Sequence, residues 1–513
     1  MKLTRREAVA LTAFGAAAAT FLPRSVVAQM GHQGHGQMDM SPSQPAEPRA
    51  PVSTDDGMQW WMSVAKSTVH PARTIEPGEA VPPGEPGRDY IPAITPNGAT
   101  LAYKIVDGVK VFHLIAEEVT HQFAPGLKAM LWGFNGRVHG PTIEAVEGDN
   151  IRIYVTNRLP AATSIHWHGI ILPSGMDGVG GLSQRIIKPG ETFKYEFPLV
   201  QHGTHMYHSH HDEMIQMALG VMGLFVIHPR RPAEMRPDRD FAFLLSEWDI
   251  KPGTYRPDPR VFAGFNTLTF NARVFPGTEP LVAKRGDRVR IRLVNLSAMD
   301  HHPIHLHGHS FWVTQTDGGM IPIGARWPES TVLIPVGSSR TIEFIADNPG
   351  DWAFHCHMTH HVMNQMGHEG PNMIGVNARR LNREVKPVIP AYMTMGEAGM
   401  GDHAEHAMGM AIPENSIPMV GAQGPYDYIT MGGMFTILKV RENLTSYADP
   451  GWYQPPPGTV AQAASKEDLK RDGVEVGKPT GNGSKTSGMD MPGMDTPEMN
   501  MPGMNHGGHQ GHQ

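Results

Sequence analysis

Residues 148–157 and 286–295 carry the same pattern of apolar and polar positions. Each stretch opens on a Gly-Asp pair, Gly148 and Asp149 or Gly286 and Asp287. In the first, Ile151, Ile153 and Val155 alternate with Arg152, Tyr154 and Thr156. In the second, Val289, Ile291 and Leu293 alternate with Arg288, Arg290 and Arg292. Both end on an asparagine, Asn157 or Asn295. Strict alternation after a turn predicts a β-strand with one buried face. Further on, Lys188, Pro189 and Gly190, and Pro335, Val336 and Gly337, each precede another such stretch, 192–197 and 340–345. Each repeat then closes on a His-x-His unit. The repetition predicts an all-β chain built from two related sandwiches.

Composition sharpens this reading. The chain has 57 Gly and 45 Pro, and charged residues make up only 18%, which suits β-structure with many turns. Net charge is −7, so no basic excess points to nucleic acid or to an anionic membrane. The flanks differ from the middle. Residues 30–58 and 478–513 are rich in Gly, Met, Pro and His and poor in large aliphatics, which predicts disorder. A third such patch holds Met393, Met395, Met400, Met408 and Met410 with His403 and His406. Thioethers select Cu(I) and imidazole accepts copper, so these segments are candidate copper collectors as well as candidate linkers. Between the patches, 426–441 alternates and predicts one more strand, read as a brace for an oligomer.

At the N-terminus, Arg5 and Arg6 precede an apolar run over 8–22, and Val26, Val27 and Ala28 form a small-residue cleavage site. The pattern predicts a twin-arginine export signal and a mature chain starting near Gln29. The run is too short and too rich in Ala and Gly to cross about 30 Å of hydrocarbon. The expected product is a soluble periplasmic protein without membrane insertion.

The chemistry concentrates in the histidines and in one cysteine. Cys356, the only cysteine, stands between His355 and His357, with His361 and Met366 following at intervals of five. A single cysteine excludes a disulfide framework. Cys, His and Met at this spacing match a mononuclear electron-transfer copper, which uses two His, one Cys and a weak axial Met. In an extended segment Cys356 faces one way and its neighbours the other, so two metal centres can share the segment. Further pairs are His166 and His168, His208 and His210, and His305 and His307, the last preceded by His302. With His355 and His357 they offer eight imidazoles for a cluster, leaving His302 and His361 to join Cys356 and Met366. His202, His205, His211, His301, His309, His360 and His368 lie off these spacings and are read as supporting or surface residues.

Across roughly residues 95 to 380, these four motifs resemble those of the multicopper oxidases, the laccase-like blue copper enzymes. The resemblance implies four copper ions: one type 1, one type 2 and two type 3. By it, His302, Cys356 and His361 hold type 1 copper, with Met366 axial; Met363 is the alternative that the family spacing does not select. His166 and His305 hold type 2 copper. His168, His208, His210, His307, His355 and His357 hold the type 3 pair. Asp177 matches an acidic position of the family and is a candidate proton relay, or equally a turn Asp before Gly178. Some relatives carry a Glu where this chain has Thr359.

Aligned on the repeat, Ser209 stands where Cys356 does, Thr163 where His302 does, Met214 where His361 does and Leu219 where Met366 does. Only the second domain is therefore expected to hold type 1 copper. The gap between His210 and His302 is too short for a further domain, so the chain resembles the two-domain branch. That branch builds its cluster between neighbouring subunits of a homotrimer, a closed ring of like interfaces.

The expected organisation is a signal peptide at 1–28, a partly disordered extension at 29–90, and cupredoxin-type Greek-key sandwiches at 91–232 and 233–385. A Met-rich linker and C-terminal extension with a candidate strand follows at 386–477, then the tail at 478–513. The expected function is oxidation of phenols or Cu(I), one electron at a time, coupled to reduction of O₂ to water, in a copper-tolerance setting. The competing readings are a copper-sequestering protein and a copper nitrite reductase. The latter needs far fewer histidines than this chain supplies.

Overall fold

The computed structural model describes residues 54–68, 70–232, 236–251, 253–261, 264–364, 383, 387, 414–417 and 421–477. One compact unit runs from Val64 onward and contains both sandwiches. Of the preceding unit, only 54–63 are described, within the helix Thr54–Ser67. The signal peptide, most of residues 30–58, the 393–410 patch and the tail fall outside the described residues.

In the first sandwich, Asn150–Asn157 pairs in parallel with Val109–Ala124 and antiparallel with Thr192–Pro198. In the second, Arg288–Asn295 pairs in parallel with Arg239–Trp248 and antiparallel with Ser339–Ile345. The two alternating stretches thus occupy the same place in two like sheets. Ile151, Ile153 and Val155 point into the first core, and Val289, Ile291 and Leu293 into the second. Each such buried aliphatic contributes about 1.5–3 kcal/mol.

The repeated polar residues do equivalent work. Asp149 accepts from the backbone N–H of Val146 at 2.8 Å, and Asp287 from that of Lys284 at 2.8 Å, closing the turn before each strand. Asn157 donates to the carbonyls of Ala161 and Ile187 and accepts from Leu159 N–H. Asn295 donates to the carbonyls of Asp300 and Ile334 and accepts from Ser297 N–H. Each fully buried asparagine thereby fixes the loop that leads to a histidine strand.

The second sheet of the first sandwich is ordered Gly140–Val146, Met222–His228, Gly203–Ser209, Ile165–His168. Its counterpart runs Leu281–Lys284, Phe435–Arg441, Gly350–Cys356, His302–Leu306, Thr331–Ile334. Here the structure corrects one expectation. The strand within 426–441 is part of the second sandwich itself: Phe435–Arg441 lies inside this sheet, with Leu438 and Val440 in the core. Without it, Gly350–Cys356 would present an unpaired edge. Alternation reveals that a strand exists but not which neighbour it pairs with. The second sandwich therefore does not close at residue 385.

Residues 70–90 lie against the first sandwich rather than apart from it. Ala72, Ile75 and Tyr90 are buried, and Glu147 accepts from Ile75 N–H at 3.2 Å. Between the sandwiches, Met206, Met222, Leu224 and Val226 pack on Ala242, Leu244, Val294 and Leu296. Beside them Arg292 is fully buried, bidentate on Asp240 at 2.8 and 2.9 Å, and donates to Thr204 at 2.7 Å. Removing one partner of such a pair costs about 3–5 kcal/mol.

Candidate metal centres

Pairing register sets the direction of every candidate ligand. His305 sits opposite His355 and Ile304 opposite Cys356. Successive residues face opposite ways, so Ile304, Leu306, Phe354 and Cys356 enter the second core while His305, His307, His355 and His357 take the other face. The first sandwich repeats this: Ile165, Trp167 and Tyr207 are core, and His166 pairs opposite His208.

On the core side, Cys356 Sγ lies 3.4 Å from His361 Nδ1 and 3.8 Å from His302 Nδ1, and the two Nδ1 atoms are 3.1 Å apart. All three residues are buried and their donor atoms converge on one point. His302 Nε2 is 2.7 Å from Ser297 Oγ. Asp300 Oδ2 lies 3.4 Å from His361 Nε2, an electrostatic contact rather than a well-aligned hydrogen bond. Burial holds His302 well below the usual histidine range, brings His361 to about 4 and pushes the Cys356 thiol up to about 12. Both imidazoles are thus neutral, the form that binds metal. A thiol so buried becomes thiolate through coordination, since the thiolate is the metal ligand. Two converging imidazole nitrogens around one sulfur fit copper. Met366 lies outside the described residues.

On the other face the eight remaining histidines form two quartets. In the first sandwich His166 is in ring contact with His168, His208 and His210 at 5.4–5.6 Å, and His168 Nδ1 is 3.2 Å from His208 Nε2. In the second, His305 contacts His307, His355 and His357, and His307 Nε2 is 3.2 Å from His355 Nε2. The far nitrogens match as well. His208 Nδ1 donates to Ser209 O and His355 Nδ1 to Cys356 O, both at 2.8 Å. His166 Nδ1 donates to Asp177 O at 2.9 Å and His305 Nδ1 to Ser330 O at 2.7 Å. A backbone carbonyl only accepts, so each of these four rings carries its proton on Nδ1 and offers Nε2, the usual arrangement for a metal-binding histidine. Burial lowers His208 to about 3 and His355 to about 4.

Among the described residues, no ring contact joins a histidine of one quartet to a histidine of the other. His307 and His357 are exposed. The resemblance implied a cluster shared between neighbouring subunits; among the described residues the single chain presents the eight histidines as two halves.

Asp177 places a carboxylate oxygen 3.4 Å from His166 Nδ1, beside its own carbonyl. Sequence reading did not single out Ser297, Asp300, Ser330 or Glu213, the last 3.5 Å from His208 Nδ1. Ser297 was within reach, because the repeat carries Asn295 to the loop before His302.

This arrangement, a copper-type Cys-His-His pocket back to back with imidazole clusters on twin β-sandwiches, defines a blue-copper class of protein. Two family models, each described as multicopper oxidase, match residues 116–232 and 251–372. Over these residues, both sandwiches match the multicopper oxidase family. It is 29% identical over 327 residues to copper resistance protein A of Escherichia coli, covering 54% of this chain and 52% of that one. It is 31% identical over 264 residues to Laccase-2 of Botryotinia fuckeliana, covering 46% and 44%. A blue copper oxidase structure from Nitrosomonas europaea matches 67% of this chain and 91% of its own at 25% identity and a TM-score of 0.48. The chain spans about half the length of the curated relatives it matches.

Proposed function

We propose that this chain is an exported, periplasmic oxidase that takes single electrons from phenols or Cu(I) and passes them to O₂, in a copper-tolerance role. One observation carries the reading. Cys356 turns into the core between His302 and His361, while its two neighbours turn outward to His305 and His307. When bound, copper supplies one-electron acceptance at the cysteine pocket and four-electron reduction of O₂ to water at the histidine cluster.

The chain supplies geometry and protection. His302, Cys356 and His361, buried and converging, would hold type 1 copper, with Met366 as the fourth ligand that the family spacing selects. The path from Cys356 to His355 and His357 is covalent and a few bonds long. His166 and His305 hold type 2 copper, supported by their matching Nδ1–H to carbonyl bonds. His168, His208, His210, His307, His355 and His357 hold the type 3 pair. Asp177 is the candidate proton relay, a reading supported by its carboxylate oxygen 3.4 Å from His166 Nδ1.

The working form is a homotrimer in which the first quartet of one copy meets the second quartet of the next. The separation of the quartets supports this, as does the exposure of His307 and His357 and, on the neighbouring strand Thr331–Ile334, of Leu333, an apolar residue 52% exposed. Among the described residues no helix is long and apolar enough to cross a membrane, and the name copper resistance protein A supports the tolerance role.

Oxygen uptake by the copper-loaded chain, with a phenol, Cu(I) or nitrite offered separately, tests the activity. Uptake with phenol or Cu(I) that is lost in Cys356→Ser is the expected result. Nitrite turnover without oxygen uptake contradicts the reading.

A further inference from the structure

Away from both metal centres, a cavity of about 490 Å³ opens beside the first sandwich. His121 reaches it from the strand Val109–Ala124, Arg137 and His139 from the turn after Leu127–Phe134, and Arg273 from the turn after Thr267–Phe270. Nothing in the reading above uses these residues.

Their hydrogen bonds fix what the cavity offers. His121 is 8% exposed, and its Nε2 lies 2.6 Å from the carbonyl of Ala272. A carbonyl only accepts, so Nε2 carries the proton and Nδ1 presents a lone pair. Burial lowers His121 to about 4, so the ring is neutral and Nδ1 is an acceptor at ordinary pH. Among the described residues nothing donates to it. Behind it, His139 Nε2 is 2.9 Å from Ser246 Oγ. Trp248 Nε1 donates to Thr269 Oγ1, Thr269 donates to Ser246 O, and Ser246 Oγ lies 2.8 Å from Thr269 Oγ1. Every hydrogen of this network is used when His139 donates from Nε2, which leaves its buried Nδ1 unpartnered as a second lone pair.

The other wall is cationic. Arg273 is half-buried, and its Nε has no partner among the described residues. Burial draws its pKa down, nearby Glu279 opposes that, and Arg137 adds to it. Glu279 is itself engaged by Asn97 N–H at 2.7 Å. Arg137 is exposed at the rim. Two guanidinium groups line this wall and, among the described residues, neither is hydrogen-bonded to a carboxylate, so the wall suits an anion. Two arginines disfavour a metal ion, and a bare anion leaves the histidine lone pair facing another acceptor. A ligand that brings both an acid group and a hydroxyl satisfies both walls, and the volume suits a small molecule.

We propose that this cavity is a binding site for a small hydroxycarboxylate. Its carboxylate oxygens accept from Arg273 and Arg137, and its hydroxyl donates to His121 Nδ1.

Malate and succinate differ by that hydroxyl alone, so they serve as probes in calorimetric titration of the copper-loaded full chain. Malate is expected to bind, and succinate about tenfold more weakly, as one lost hydrogen bond predicts. Arg273→Gln should abolish malate binding, and the surface change Arg137→Gln should weaken it. His121→Phe should bring malate down to the level of succinate. Equal affinity of the wild-type chain for malate and succinate overturns the proposal. So does malate binding that is unchanged in both arginine variants, and so does an absence of both heat and thermal stabilisation at millimolar malate.

Discussion

Ser209 occupies in the first sandwich the place that Cys356 occupies in the second. Ser209 pairs opposite Ile165, and Cys356 opposite Ile304, in the same register between the same two strands. Where the second sandwich has a metal pocket, the first has a hydrogen-bonded plug. Ser209 Oγ and Thr163 Oγ1 both donate to Gln216 Oε1 at 2.7 Å, and Gln216 Nε2 donates to Ala162 O. Gln216→Leu should therefore take the acceptor from Thr163 Oγ1, while Ser209 Oγ keeps the His211 carbonyl at 3.0 Å, and lower stability by about 1–3 kcal/mol. Urea unfolding measures that loss. The blue absorption of the loaded protein should be unchanged, because its ligands lie in the other sandwich.

The plug shows how far the sequence could be read. Aligning the repeats exposed Thr163 and Ser209 as stand-ins for His302 and Cys356, because period two preserves position as well as face. It did not find Gln216, which comes from the helix Glu213–Ala218, where the repeats diverge. The same limit applies to Phe435–Arg441. Its alternation was visible, but a pairing partner some eighty residues away leaves no local mark. Both metal pockets were legible because paired strands force their ligands onto opposite faces. The split into quartets followed only from the family resemblance, since spacing reports neighbours along a strand and not distances between sandwiches.

Asp300 should tune the cysteine site. Its carboxylate lies 3.4 Å from His361 Nε2, while His302 Nε2 meets only the neutral Ser297 hydroxyl. A carboxylate beside a ligand imidazole raises its basicity and favours the oxidised metal. Asp300→Asn should keep the blue colour and raise the reduction potential, read by redox titration. An unchanged or lower potential would show that the contact is not felt at the metal.

Glu144 predicts a pH dependence of stability. It is buried, accepts from Ala93 N–H at 2.8 Å and lies 2.9 Å from His228 Nε2. Burial raises its pKa from 4.5 to about 7. Between these values the folded chain holds a proton that the unfolded chain has released. Its contribution to stability is therefore full below pH 4.5, declines as pH rises to about 7, and is level above. Glu144→Gln should remove that decline, seen as the difference between the two stability–pH curves.

The Met- and His-rich tail should matter only when copper is scarce. Deleting 478–513 removes Met-Asp-Met-Pro-Gly-Met and Met-Asn-Met-Pro-Gly-Met together with His506, His509 and His512. Turnover of a bulky phenol by fully loaded enzyme should stay nearly constant, while copper loading or the rate with scarce Cu(I) should fall. Equality in both assays would make the tail a plain appendage.

The central claim is that the two quartets complete one cluster only between copies of the chain. Mixed oligomers test it most directly. One partner carries His166→Ala and His168→Ala, the other His305→Ala and His307→Ala, and each alone should be inactive. When they assemble together, some interfaces unite two intact quartets, and oxygen uptake should return in part. Verified mixed oligomers with no restored uptake would contradict the account and point to a cluster formed within a single chain.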